Sequence, residues 1–269
     1  MLKTEIAESV KCEFCGRNLK QEKLIIIIGD VETKINKEVE RCNCIQAKEF
    51  WKIQDYKRKK ELELQEKREK DRRIEKLYDK SKMHSRLKGY SFHNFKITKE
   101  NEKAYCKAKE YAQLIKNGER KSLIITGNIG TGKTHLASSI ANFLIQSEIS
   151  VVFGTLINLL NEVKDTYTME NKTESFIIEK YSKVPLLIID DLGKERPSEW
   201  TLEKLFTIIN NRYENNLPVV ITTNYNRERL RERLANNVNY EIADSIISRL
   251  YEMCKGINLN GKDKRKELV

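Results

Sequence analysis

The sequence predicts a doubly wound α/β fold with a parallel sheet flanked by helices, shaped to hold a nucleotide, and three observations predict it. Residues 127–134 read GNIGTGKT, which fits the phosphate-loop pattern G-x-x-x-x-G-K-[ST] at every required position. Residues 185–191 read PLLIIDD, a run of buried-strand character that ends in two carboxylates. After residue 120, short apolar runs alternate regularly with helical patterns, as in a parallel sheet with crossover helices.

At the N-terminal end, four of the six cysteines fall in the first 44 residues, as Cys12-x-x-Cys15 and Cys42-x-Cys44, while Cys106 and Cys254 are isolated. Between the pairs, LIIII, Gly29-Asp30 and VETKI predict a β-hairpin with a glycine-containing turn. A hairpin that separates two cysteine pairs can bring all four sulfurs to one tetrahedral Zn²⁺, a zinc-ribbon-like module over residues 1–47. Four thiolates leave no open position for water, so the metal would be structural. The alternative is two pairs of free thiols.

Residues 48–88 contain neither proline nor glycine and carry sixteen Lys and Arg against nine Asp and Glu. The sparse apolar residues suit one long charged helix, or two, with a narrow apolar stripe that must lie on another surface or dock a partner. A mobile charged linker is the competing reading.

The core occupies residues 89–269. Ser122, Leu123, Ile124, Ile125 and Thr126 form a short buried strand, and residues 135–146 repeat apolar side chains at helical spacing. A strand feeding a glycine-rich turn into a helix aims several backbone N–H groups and the helix dipole at one spot. Gly127, Asn128, Ile129, Gly130, Thr131 and Gly132 would wrap the phosphates of ATP, Lys133 would neutralise them, and the Thr134 hydroxyl would ligate Mg²⁺. Asp190 would hold the same Mg²⁺, and Asp191 would orient or deprotonate the attacking water. A further strand over residues 219–223 (VVITT) ends at Asn224, a candidate partner for the γ-phosphate or the water. An asparagine at a strand end also starts turns, and the residues alone leave both readings open. Strands are also expected at 150–153 and 255–260, with a helix over 199–215 capped by Ser198.

Composition narrows the partners. The formal net charge is +11 with a pI near 9.2, a balance that favours polyanions, nucleic acid before membrane. No apolar run approaches the roughly 18 residues of a membrane span, and the start lacks a signal peptide's apolar core, so a cytoplasmic protein is expected.

Four stretches, GNIGTGKTHLA, LLIIDDLGKE, FTIINNRYENNLPVVITTNY and IISRLYEMC, resemble the ATPase domain of DnaC/DnaI-type replicative helicase loaders. That AAA+ branch is shared with IstB-like transposition helpers. The resemblance covers roughly residues 88–265, and the paired cysteines look like the zinc-binding N-terminal domain of DnaI-type loaders. It implies an AAA+ P-loop NTPase that binds ATP, engages a DnaB-type replicative helicase and single-stranded DNA, and assembles into an oligomer or spiral on the helicase. Hydrolysis would drive release. Residue by residue, it extends the nucleotide loop to His135, assigns Asp190 and Asp191 to the second nucleotide motif and Asn224 to sensor 1. Arg249, in Ser248-Arg249-Leu250, becomes an arginine finger acting on the neighbouring subunit. Phe95, in Phe92-x-x-Phe95, lies in the family's segment near the adenine, although by spacing alone it passes for core. Arg265 falls at the family's sensor 2 arginine, with Lys264 in place of the usual aromatic. The resemblance also admits a transposition helper that remodels target DNA, or a helicase-binding regulator switched by nucleotide.

Overall fold

The computed structural model describes residues 2–28, 31–168, 173–237 and 239–263. The chain divides into two compact units, Met1–Asp71 and Arg72–Val269.

The first unit carries an antiparallel sheet in the order β1-β2-β3, formed by β1 (Leu2–Lys11), β2 (Asn18–Ile28) and β3 (Val31–Val39). Strands β2 and β3 are the hairpin expected between the cysteine pairs, and the Gly29-Asp30 turn lies outside the described residues. β1 is an addition. Its sequence, LKTEIAESVK, lacks the apolar alternation that marks a half-buried strand, and its pairing shifts register between Ala7 and Val10. Helix α1 (Ile45–Lys80) follows as one unbroken helix of 36 residues. Every residue from Asp55 to Arg73 is exposed, as the charge density of that stretch dictates. Near its start, Arg41 donates two hydrogen bonds to Asp55, at 2.5 and 2.8 Å, and its guanidinium lies 4.8 Å from the Trp51 ring centroid.

In the second unit, the short α2 (Ser85–Lys88) precedes α3 (Glu102–Lys116), β4 (Ser122–Thr126), α4 (Lys133–Gln146), β5 (Val151–Thr155) and α5 (Leu156–Asp165). There follow α6 (Glu174–Lys183), β6 (Leu186–Asp190), α7 (Glu199–Glu214), β7 (Val219–Thr223), α8 (Arg227–Ala235), α9 (Tyr240–Met253) and β8 (Cys254–Asn258). The five strands pair in parallel in the order β5-β6-β7-β4-β8. Side chains alternate between two cores. Leu123, Ile125, Leu186 and Ile188 pack with α3 and α4, whereas Ile124, Leu187, Ile189 and Ile221 pack with residues of α5, α6, α7, α8 and α9. Small residues at Ala108, Ala112, Ala137 and Ala141, none exposed, let α3 and α4 lie close to each other and to the sheet. Ser198 caps α7 as expected, its hydroxyl accepting from Thr201 N at 3.3 Å.

Arg212 on α7 is a residue that periodicity misses. It is fully buried and donates to the carbonyls of Tyr181 (2.8 Å) and Pro218 (2.5 Å), tying the end of α6 to the start of β7. Burial lowers its pKa to about 10. Arg212→Met leaves the Tyr181 carbonyl without that donor and the Pro218 carbonyl with the longer bond from Leu187 N at 3.5 Å, and an unpaired carbonyl costs about 1–3 kcal/mol, partly offset by removing a buried charge. A net loss of about 1–3 kcal/mol in urea unfolding is expected.

Candidate nucleotide-binding site and cysteine cluster

Strand β4 delivers the phosphate loop at the carboxyl edge of the sheet. Gly127, Gly130 and Gly132 adopt φ of +150°, +79° and +104°, values that disfavour any side chain, and Gly132 caps α4. A Cβ at Gly127 would strike the Leu259 carbonyl, and one at Gly130 would strike the Asp263 carboxylate, so glycine lets the loop lie close against the segment after β8. The buried Thr131 hydroxyl donates to Asn128 O at 2.9 Å and sets the loop's curvature, while Ile129 is exposed. Lys133, 5% exposed at the start of α4, donates to the Gly127 and Asn128 carbonyls at 2.9 and 2.7 Å.

The carboxylates stand opposite. Asp190 ends β6, and the Thr134 hydroxyl donates to its two oxygens at 3.1 and 3.0 Å, joining the two expected Mg²⁺-binding groups. Burial pushes the Asp190 carboxyl above the usual aspartate range; the Thr222 hydrogen bond opposes this, and the neighbouring Asp191 adds to it. Thr222 on β7, unremarked as a site residue in the sequence, donates to Asp190 Oδ1 at 2.6 Å and accepts from Asp191 N at 2.8 Å. Its signal was available: hydroxyls on a fully buried central strand need partners. Asp191 takes a left-handed backbone at φ +53°, and its carboxylate lies 3.7 Å from Lys194 Nζ. The buried Asn224 Oδ1 has no hydrogen-bond partner among the described residues. That orphaned acceptor, the positive-φ glycines of the loop and the Thr134–Asp190 pair fit a nucleotide triphosphate and its Mg²⁺.

His135, beside Thr134 on α4, stacks on Tyr90 at 4.4 Å, and its Nε2 lies 3.0 Å from Asn94 Oδ1 and 3.1 Å from Ser91 O. Phe95 is 5% exposed, edge-on to His135 at 5.1 Å and stacked against Tyr105 at 5.7 Å. The segment before α3 thus meets the phosphate-loop helix through an aromatic cluster. Arg249 on α9 is joined to α7: Nε donates to Asn210 Oδ1 at 2.8 Å, and the guanidinium lies 5.0 Å from the Phe206 ring centroid. Arg265 lies outside the described residues.

In the first unit the Sγ atoms of Cys12, Cys15, Cys42 and Cys44 all lie within 4.8 Å of one another. Zinc bonds to sulfur of about 2.3 Å in a tetrahedron place sulfurs about 3.8 Å apart, so the cluster fits one ion. Gly16 N donates to Cys12 O at 2.9 Å with Gly16 at φ +69°, a turn that folds the first pair around its own thiols. Backbone N–H groups of Phe14 and Cys15 lower the Cys12 thiol to about 7. Buried Leu19 and Ala47 pack with Cys12 and Cys42, and half-buried Cys44 and Trp51 border them.

A parallel sheet of this order, a glycine cradle on its first core strand and an acid on the neighbouring-but-one strand define a P-loop ATP-binding protein of AAA+ architecture. The chain belongs to the IstB-like ATP binding protein family, whose pattern matches residues 48–268. It is 28% identical over 167 residues to the replicative helicase loader DnaC of Escherichia coli (strain K12), spanning 62% of this chain and 68% of that protein. Among solved structures, that of DnaI superposes with a TM-score of 0.56 at 26% identity, over 68% of this chain and 95% of that one. The structure of the DnaC helicase loader superposes with a TM-score of 0.54 at 26% identity, over 66% and 100%.

Proposed function

We propose that this chain is an ATP-dependent loader of a DnaB-type replicative helicase onto single-stranded DNA, working in the cytoplasm and releasing the helicase on hydrolysis. The observation that carries this is the convergence of Lys133, Thr134, Asp190 and Asn224 on one sheet edge, in a chain similar to replicative helicase loaders. Residues 1–47 serve as the metal-bound adaptor, residues 48–88 as the charged helical connector and residues 89–269 as the ATPase.

Lys133 leaves the loop carbonyls to hold the β- and γ-phosphates, and the loop N–H groups cradle them. Thr134 and Asp190 would hold Mg²⁺, which would supply positive charge against the phosphates. Asp191 orients the water and takes its proton as the water oxygen bonds to the γ-phosphorus and the bond to the bridging oxygen breaks. Asn224 Oδ1 accepts from that water. Arg249 exchanges Asn210 for a neighbouring subunit's nucleotide, so turnover rises with assembly. The four cysteines hold Zn²⁺ structurally. No helix among the described residues is long and apolar enough to cross a membrane.

The test is co-purification with the cognate replicative helicase, with and without ATP. A complex that forms in wild type and responds to nucleotide, and loses that response in Lys133→Ala, is expected. Absence of a complex under every nucleotide condition would sink the loader reading. The family match favours a transposition helper next, recognised by capture of a transposase instead.

A further inference from the structure

Arg249 reaches across from α9 to one stripe of α7. Phe206, Asn210 and Tyr213 stand at helical spacing on that stripe, and all three meet its guanidinium. Nε donates to Asn210 Oδ1 at 2.8 Å, and Nη1 donates to Ser245 O, one turn back on α9, at 3.1 Å. The Phe206 and Tyr213 ring centroids lie 5.0 and 5.8 Å from its central carbon. Each partner is itself fastened. Asn210 Nδ2 donates to Glu214 Oε1 at 2.8 Å, which turns the amide oxygen toward Arg249. Phe206 packs against the buried core, and the Tyr213 hydroxyl donates to Glu252 Oε1 at 2.7 Å.

We infer that Asn210 is a positioning residue: it holds Arg249 back in the free chain and so sets the chain concentration at which assembly raises ATP turnover. The inference rests on the proposed action of Arg249 on a neighbouring subunit's nucleotide. A guanidinium grips a phosphate through two parallel N–H bonds, and the Nε–H given to Asn210 is half of one such edge. The ring faces of Phe206 and Tyr213 add cation–π attraction to the same resting position. A chain therefore joins an active assembly only after these contacts are given up, and the fraction of chains with Arg249 released scales the apparent affinity. Asn210 acts through Arg249 alone. It moves the threshold and not the rate at saturation, where every Arg249 is engaged.

The experiment measures ATP turnover per chain across a range of full-chain concentrations, for wild type, Asn210→Ala, Asn210→Asp, Phe206→Leu and Arg249→Ala. Wild-type turnover is expected to rise with concentration to a plateau. Asn210→Ala removes the acceptor and should lower the half-maximal concentration about 3- to 10-fold with the plateau unchanged. Asn210→Asp sets a carboxylate against the guanidinium and should raise it about 2- to 5-fold. Phe206→Leu should lower it about 2- to 5-fold. A change of packing on α7 would move both Asn210 variants the same way, so shifts of one sign, or both variants matching wild type, overturn the inference. If Arg249→Ala then still loses the rise, the proposed role of Arg249 stands. Arg249→Ala that rises like wild type, or wild-type turnover independent of concentration, overturns both.

Discussion

Asp190→Asn is expected to lower ATP turnover by about 10²- to 10³-fold while leaving the fold no less stable than wild type. The two effects separate because, in the proposed role, the carboxylate serves ligand binding at a cost to folding. Asparagine keeps an acceptor for the Thr222 hydroxyl and a donor for the Thr134 oxygen, so the hydrogen-bond network at the end of β6 survives. It loses the charge that Mg²⁺ requires. Burial, with the Asp191 charge adding to it, holds the Asp190 carboxyl above its ordinary value in the folded chain, so folding favours the protonated form. The stability this group contributes is therefore present below the ordinary aspartate range and is lost as pH rises through the raised folded value. Asparagine has no such loss. In metal-free, nucleotide-free buffer, thermal unfolding of the two proteins should nearly coincide at low pH and diverge in favour of the variant by about pH 8. A variant that is less stable at both extremes, or that turns ATP over at the wild-type rate, would remove Asp190 from the metal-binding role.

Most of the second unit was legible in the sequence because its strands are short apolar runs between unambiguous punctuation. The strands at Ser122–Thr126, Leu186–Asp190 and Val219–Thr223 stand where the runs place them. The helix expected over 199–215 ends one residue earlier, at Glu214. Expected strand edges at 150–153 and 255–260 move by one or two residues, the usual imprecision of propensity at element ends. What stayed hidden were interactions between residues distant in sequence. Thr222 reads as a strand residue until β6 and β7 are paired and its hydroxyl lies between Asp190 and Asp191. Arg212 reads as a solvated helix residue, since nothing local shows that Tyr181 and Pro218 present carbonyls to it. Asn142 likewise looks like an ordinary helix position until its amide is seen donating to Leu87 O at 2.9 Å and to Tyr90 O at 2.5 Å, fastening the segment before α3 onto α4. Strand β1 escaped because six of its ten positions are charged or polar, and its pairing is set by β2 and not by its own pattern.

Cys42→Ser is expected to remove the metal and unfold the sheet of the first unit while ATP binding by the second unit persists. Among the described residues, the apolar ones buried around the cluster are few: Leu19 and Ala47, beside the cysteines themselves and half-buried Trp51. Fully burying one leucine yields about 1.5–3 kcal/mol, and an alanine less, whereas ordering each backbone residue costs about 1–2 kcal/mol. The few apolar residues described around the cluster contribute little of that, whereas a structural zinc site supplies about 10–16 kcal/mol of apparent binding free energy coupled to folding. Cys42 is 4% exposed, with its Sγ 3.4 Å from that of Cys15, so serine there withdraws a central ligand and leaves a hydroxyl that binds zinc poorly at neutral pH. Bound zinc should fall from about one per chain to near zero, and limited proteolysis should cut within residues 1–44 while sparing the second unit. Cys106→Ser is the control: that thiol is exposed and stands apart from the cluster, so zinc content and proteolytic pattern should match wild type. Retention of zinc and of an intact N-terminal fragment in Cys42→Ser would mean that the four sulfurs meet for packing alone. The adaptor role would then have to rest on the charged helix.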